Sequence, residues 1–292
     1  MKKIFKSTMG KDLLISSYNK LLDQWGIEKQ EIDIDTSYGK THVILAGKID
    51  NPPLLLLHGT NENSAIMWFD NAQELAKDFY IIAVDTLGAA GKSEPNENFF
   101  NHFNPTIWIN EILDGLKIQK VHIVGVSYGV NMGLNFCVKS PDRVERLVCI
   151  AGIIPLKGVK FFLLTLRSVF AFFPEILKPT EENAKKLLKK LSGPKFDDNP
   201  DKQELFEHFF YILKYSIPVK RKMHSIPSDS FKAFRNKCLF LIGDHDRANY
   251  HPSILKILDE QRLKYNIVKG AGHTLNSEFA ELTNSEIKAF LL

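Results

Sequence analysis

The chain has 292 residues, 44% of them hydrophobic and 25% charged, a composition that suits a globular protein and a single α/β domain with an insertion. Its 38 Lys and Arg are interspersed with 34 Asp and Glu, and a net charge of +4 without a concentrated basic face argues against nucleic acid as a partner. Cys137, Cys149 and Cys238 are scattered singly, which predicts reduced, buried thiols rather than a disulfide framework or a CxxC metal site.

At the N-terminus, Met1-Lys2-Lys3-Ile4-Phe5-Lys6-Ser7 begins like a secretory signal, but Lys6, Lys11 and Asp12 interrupt the apolar core that a signal requires. The sequence therefore predicts a cytoplasmic protein. An amphipathic stretch, Lys11 to Trp25, precedes a series of short apolar runs: Thr41 to Ala46, Leu54 to Leu57, Tyr80 to Val84, Val121 to Val124, Arg146 to Ala151, Lys237 to Ile242 and Lys264 to Val268. These runs are nearly continuous rather than alternating in polarity, as strands buried on both faces are, and predict a mostly parallel sheet covered by helices. Between them fall helix-length segments, Met67 to Lys77, Pro105 to Leu116, Tyr128 to Lys139, Pro252 to Arg262 and Ser277 to Leu291.

The alternation breaks after Gly152. From Ile153 to Phe234 the chain reads as helices only, with Val159 to Phe173, Thr180 to Leu191 and Pro200 to Tyr215 separated by prolines. The expected fold class is α/β, a three-layer α/β/α core of residues 1–152 and 235–292, with a helical cap of 153–234 inserted after the sixth strand. The apolar run Phe161 to Phe173 is too short for the roughly 20 residues of a membrane span and contains Arg167, so it predicts a cap helix over an apolar pocket and no integral membrane segment. Lys185, Lys186, Lys189 and Lys190 lie opposite Leu187 and Leu188 on a helical wheel, as on a solvated outer face.

Chemistry concentrates at Gly125-Val126-Ser127-Tyr128-Gly129, between the apolar run Val121 to Val124 and the helical segment that follows. A G-x-S-x-G turn from strand to helix puts a serine hydroxyl at the tip of a bend too tight for flanking side chains, a nucleophile elbow. Such a serine needs a base, and the base needs a carboxylate. Gly243-Asp244-His245-Asp246 and Gly270-Ala271-Gly272-His273 both follow predicted strands, on the sheet edge where catalytic groups of open α/β sheets gather. By contrast, Gly88-Ala89-Ala90-Gly91-Lys92-Ser93 ends like a phosphate-binding loop, but the register requires glycine where Thr86 stands, and no nucleotide site is expected.

Serine, acid, histidine is the chain order of the α/β-hydrolases, and the sequence resembles that family. The resemblance implies a G-x-x-D frame from Gly243 to Asp246 and so assigns the acid to Asp246, with Asp244 as the alternative, and the base to His273. It matches Leu54 to Thr60 to the strand and H-G-x loop of the family, which implies Thr60 and Tyr128 amides as oxyanion donors and a structural role for His58. Asp85 with the turn up to Ser93 is similar to the family's D-x-x-G-x-G-x-S turn with one extra residue.

Tyr38 to Ile44, Pro52 to Leu54, Met67 to Phe69 and Ala83 to Thr86 further resemble a group of bacterial serine carboxylesterases. That likeness, which covers nearly the whole chain except the cap, implies a three-layer hydrolase fold and hydrolysis of small apolar esters through Ser127, Asp246 and His273. Phenylalanines crowd the cap, and some of Phe161, Phe162, Phe170, Phe172, Phe173, Phe206, Phe209 and Phe210 are expected to line an acyl or alcohol pocket, the others to form the cap's own core. No cofactor or metal is expected. A carbon–carbon bond hydrolase or lactonase would use the same three residues, and a small-molecule receptor could keep the pocket without turnover. A haloalkane dehalogenase would need a carboxylate where Ser127 stands.

Overall fold

A computed structural model describes residues 3–152, 175–194, 202–220, 222–247, 250 and 252–292. Among these residues nine strands form one sheet: β1 (Lys29–Thr36), β2 (Gly39–Ala46), β3 (Pro53–Leu57), β4 (Tyr80–Val84), β5 (Glu94–Pro95), β6 (Val121–Val126), β7 (Val144–Ile150), β8 (Cys238–Gly243) and β9 (Lys264–Val268). Their order is β1-β2-β4-β3-β6-β7-β8-β9, with β5 paired to β2. From β4 to β9 every pairing is parallel, while β1 and β2 run antiparallel at one edge.

Twelve helices follow in chain order among the described residues. They are α1 (Thr8–Asp23), α2 (Ser64–Met67), α3 (Ala72–Leu75), α4 (Glu97–His102), α5 (Pro105–Gly115), α6 (Tyr128–Lys139), α7 (Glu181–Leu191), α8 (Gln203–Tyr215), α9 (Phe231–Phe234), α10 (Pro252–Glu260), α11 (Leu275–Glu278) and α12 (Ala280–Leu291). Strand β3 shows why the sheet is the centre of the molecule. Leu54 and Leu56 join the apolar cluster on one face, with Trp68 and Phe79, and Leu55 and Leu57 join the cluster on the other, with Trp108 and Phe136. All four leucines are fully buried, and each contributes about 2 kcal/mol of hydrophobic stabilisation.

The sequence expectation missed β1. Its residues Lys29-Gln30-Glu31-Ile32-Asp33-Ile34-Asp35-Thr36 alternate between exposed and half-buried, the pattern of an antiparallel edge strand with one wet face rather than a continuous apolar run. The helix expected from Met67 to Lys77 is two short ones, α2 and α3. The interruption lies beside Asn71, whose buried side-chain amide donates to Asn276 O at 3.0 Å and to Asn284 Oδ1 at 2.9 Å. Likewise Ser277 to Leu291 divides at Phe279 into α11 and α12. Leaving out the two-residue β5, the strand before the long insertion, β7, is the sixth in chain order.

Between β7 and β8 the described residues carry α7, α8 and the short α9, and no strand. Helix α7 starts where Thr180 accepts a hydrogen bond from Asn183 N–H, with Glu181 and Glu182 in its first turn and Lys189 and Lys190 in its last, a charge order that suits the helix dipole. Helix α8 packs on α1. Lys6 N–H donates to Tyr215 O at 2.9 Å and Ile217 N–H to Ile4 O at 2.8 Å, so the N-terminal segment and α8 are stitched along their backbones. The expected segment Val159 to Phe173 lies outside the described residues. Cys137, Cys149 and Cys238 are buried and free.

Candidate active site

Strand β6 passes into α6 through Ser127, whose backbone has φ 53° and ψ −110°. A left-handed conformation at a non-glycine residue costs on the order of 1–3 kcal/mol and persists only where its surroundings dictate it. The flanking glycines remove the side chains that would forbid the bend. A Cβ on Gly125 would lie 2.6 Å from the carbonyl carbon of Gly129, and a Cβ on Gly129 would collide with the carbonyl oxygen of Leu57 at the end of β3. Ser127 N–H donates to Ile150 O at 3.0 Å, pinning the turn to β7.

Past the end of β8, Asp246 is 1% exposed, and its Oδ2 accepts a hydrogen bond from His273 Nδ1 at 3.0 Å. This fixes the tautomer that leaves His273 Nε2 for another partner. Asp244, the alternative acid, is engaged elsewhere. Its Oδ1 accepts Gly270 N–H at 2.7 Å, where Gly270 takes the positive φ of 80° that turns the chain after β9. The two carboxylates thus divide the work, one orienting the imidazole and one shaping the loop that carries it.

The His273 loop is also tied to α7. His273 N–H donates to Leu191 O at 2.5 Å, and Glu278 accepts from Gly272 N–H at 3.0 Å, Gly193 N–H at 2.5 Å and the Thr274 hydroxyl at 2.8 Å. Burial pulls the imidazole of His273 down, but the Asp246 carboxylate, with Glu62 and Glu278, outweighs it and holds the pKa above the ordinary histidine value.

Across the sheet edge, the loop after β3 carries Thr60. A Cβ on Gly59 would sit 3.6 Å from Ser127 Cβ, so this loop lies directly against the elbow. Tyr128 is the first residue of α6, directly after Ser127. His58 is fully buried, with Nδ1–H donating to Gly59 O at 2.8 Å and Nε2 accepting Thr86 N–H at 2.8 Å. Nδ1 thus braces the β3 loop within itself, and Nε2 ties that loop to the one after β4. The four predicted positions around the serine, Thr60, Tyr128, Asp246 and His273, all lie past carboxyl ends of parallel strands.

One group escaped the sequence reading. Glu62, two residues beyond Thr60, has its Oε2 2.9 Å from where a Gly59 Cβ would be, and burial pushes its carboxyl up to about 7, with His273 opposing. A carboxylate four residues after His58 in a loop at the carboxyl edge was the available signal.

The glycine-rich turn after β4 folds around a protein carboxylate. Asp85 accepts Ser64 N–H and Lys92 N–H, each at 2.8 Å, and its carbonyl accepts the Ser93 hydroxyl at 2.5 Å. Phe206, Phe209 and Phe210 are buried against Ala184 and Leu187, so these three form the core between α7 and α8. Phe161, Phe162, Phe170, Phe172 and Phe173 lie outside the described residues. Among the described residues no group of three or more His, Cys, Asp or Glu is placed to hold a metal ion, and no helix is long and apolar enough to cross a membrane.

Open parallel sheet, strained serine turn and acid–histidine pair define an α/β-hydrolase, and the sequence profile of the alpha/beta hydrolase fold matches residues 52–280: the chain belongs to this family. It is 28% identical over 288 residues to carboxylesterase YbfK of Bacillus subtilis strain 168, spanning 94% of this chain and 92% of that protein. The crystal structure of the same carboxylesterase, CesB (YbfK), superposes with a TM-score of 0.81 over 97% of this chain and 99% of the other, at 25% identity. A 2-hydroxymuconate semialdehyde hydrolase of Pseudomonas sp. strain CF600 is 27% identical over 191 residues, 63% of this chain and 60% of that one.

Proposed function

We propose that the chain is a serine hydrolase that cleaves carboxylic esters of small apolar substrates through an acyl-enzyme intermediate. The observation that carries this reading is the placement of a strained Ser127 and a hydrogen-bonded His273–Asp246 pair past the carboxyl edge of one parallel sheet. Likeness to carboxylesterase YbfK over nearly the whole chain supports it.

Ser127 Oγ attacks the ester carbonyl carbon while His273 Nε2 takes its proton, and Asp246 holds the Nδ1–H and stabilises the imidazolium. The Thr60 and Tyr128 amides donate to the oxyanion. His273 then protonates the departing alcohol, and after water enters, it acts as base for the attack that releases the acid. Residues 153–234 form the cap over this site, on the core of 1–152 and 235–292, and select the substrate.

Intact mass after incubation with a fluorophosphonate probe tests the nucleophile. One adduct is expected, mapped to Ser127 and absent from Ser127→Ala; an unlabelled wild type would favour a receptor on this fold instead. Similarity to the 2-hydroxymuconate semialdehyde hydrolase supports a second reading, carbon–carbon bond hydrolysis with the same residues. Turnover of vinylogous diketones in preference to p-nitrophenyl esters would select it.

A further inference from the structure

Ester hydrolysis by Ser127, His273 and Asp246 leaves one half-buried carboxylate beside the serine, Glu62, without a task. Glu62 Oε2 lies 2.9 Å, and Ser127 Cβ 3.6 Å, from the single point that a Cβ on Gly59 would occupy. The carboxylate and the serine thus both pack closely against Gly59, where a side chain would collide with the carboxylate. Met67 Cε lies 3.5 Å from the same point and brings an apolar neighbour.

Among the described residues, His273 is the charged group that acts on Glu62, with Asp246 and Glu278 acting on His273 in turn. Gly59, Met67 and Ser127, the other groups around that point, carry no charge. Burial has raised the Glu62 carboxyl to about 7, so it is ionised in mildly alkaline solution and neutral in mildly acidic solution.

A substrate whose carbonyl is seated at Ser127 brings its nearest substituents into the neighbourhood of Glu62. An anionic substituent there meets a like charge in a partly desolvated place, where repulsion is far less screened than in water. A neutral or cationic substituent meets no such opposition, and a hydrogen-bond donor gains an acceptor. We propose that Glu62 is a specificity-determining residue that sets the charge preference of the site, admitting neutral and cationic esters and rejecting those with a carboxylate close to the scissile carbonyl. The inference rests on the esterase reading given above.

The test compares p-nitrophenyl butyrate with p-nitrophenyl hemisuccinate, esters of similar acyl length of which only the second carries a carboxylate. The readout is the ratio of their kcat/KM values, in which the titration of His273 cancels because both substrates need the same base. Wild type should prefer the neutral ester by about tenfold or more near pH 8.5, and by roughly threefold or less near pH 5.5, where the hemisuccinate is still ionised but Glu62 is not. Glu62→Gln should show the small ratio at both pH values, and Glu62→Asp should keep the large one. A Glu62→Gln ratio equal to that of wild type overturns the proposal. Should that variant not fold, the wild type decides alone, since a ratio unchanged between the two pH values overturns it equally. Absence of turnover for both esters, with no fluorophosphonate adduct, removes the esterase reading itself; brisk turnover with a flat ratio removes only the role of Glu62.

Discussion

Two histidines in this molecule stand beside serines or serine-bearing turns, and their surroundings send them to opposite chemistries. His208, on α8, is fully buried, with Nδ1 2.6 Å from the hydroxyl oxygen of Ser17 on α1 and Nε2 2.8 Å from Asn63 Nδ2. Ser17 gives its own proton to Leu14 O at 3.0 Å, so His208 Nδ1–H donates to the serine and Nε2 accepts from Asn63. Among the described residues no carboxylate is hydrogen-bonded to the ring, and burial outweighs the opposing charge of Asp85, pushing His208 down to about 3 and keeping it neutral. His273 is held by Asp246 and stands above the ordinary value. A short serine–histidine hydrogen bond in a helix-packed core is thus a pin between elements, whereas the histidine with a buried carboxylate behind it can carry a proton through a reaction cycle. Ser17 sits within a regular helix, while Ser127 is forced into a left-handed turn.

The sharpest way to break this comparison is to exchange the two histidines in turn. His273→Gln should lower kcat/KM on a short p-nitrophenyl ester by roughly 10⁵-fold, while His208→Gln stays within about tenfold of wild type. Losses of similar size would make the two sites one machine. The next largest contrast lies between the neighbouring carboxylates. Asp246→Asn should cost roughly 10⁴-fold in kcat, the scale of losing the tautomer-fixing acid, and Asp244→Asn about tenfold, because Asp244 holds the Gly270 turn rather than the His273 imidazole. A larger loss at Asp244 would reverse their roles.

The smallest effect is on stability. Between about 3 and 6.5 the folded protein binds fewer protons at His208 than the unfolded chain does, so this residue contributes stability at neutral pH that is lost as pH falls from 6.5 toward 3. Chemical denaturation at about pH 7 and pH 5 should find wild type losing about 2 kcal/mol more than His208→Gln over that interval. Equal losses would mean that His208 is not held neutral.

Strands β4 and β9 and helix α6 begin and end where the apolar and helical patterns place them, β4 as an uninterrupted buried run and α6 because the elbow itself starts it. Strand β9, at the edge of the sheet, is nevertheless largely exposed rather than buried on both faces as its run suggests. The candidate site positions were legible for a related reason. Gly125, Gly129, Gly243, Gly270 and Gly272 mark places where the backbone must turn or pass closely, and these punctuate the chemistry-bearing positions. What escaped detection depended on distant partners. Strand β1 is defined by its register with β2, from Lys29 opposite Ala46 to Thr36 opposite Gly39, rather than by apolar residues of its own. The break between α2 and α3 accompanies the hydrogen bonds of Asn71 to Asn276 and Asn284, some 200 residues further along the chain.

Local order in the sequence determined the α/β class, the serine turn and the serine, acid, histidine succession, since these follow from runs of neighbouring residues and from the steric demands of single glycines. Only the tertiary structure decided which of two aspartates faces His273, that His208 is a structural pin, that Phe206, Phe209 and Phe210 fill the space between α7 and α8, and that Glu62 stands beside the serine. Each of those outcomes depends on the distance between groups far apart in the chain, and on the desolvation their packing imposes, quantities that exist only once the sheet has assembled.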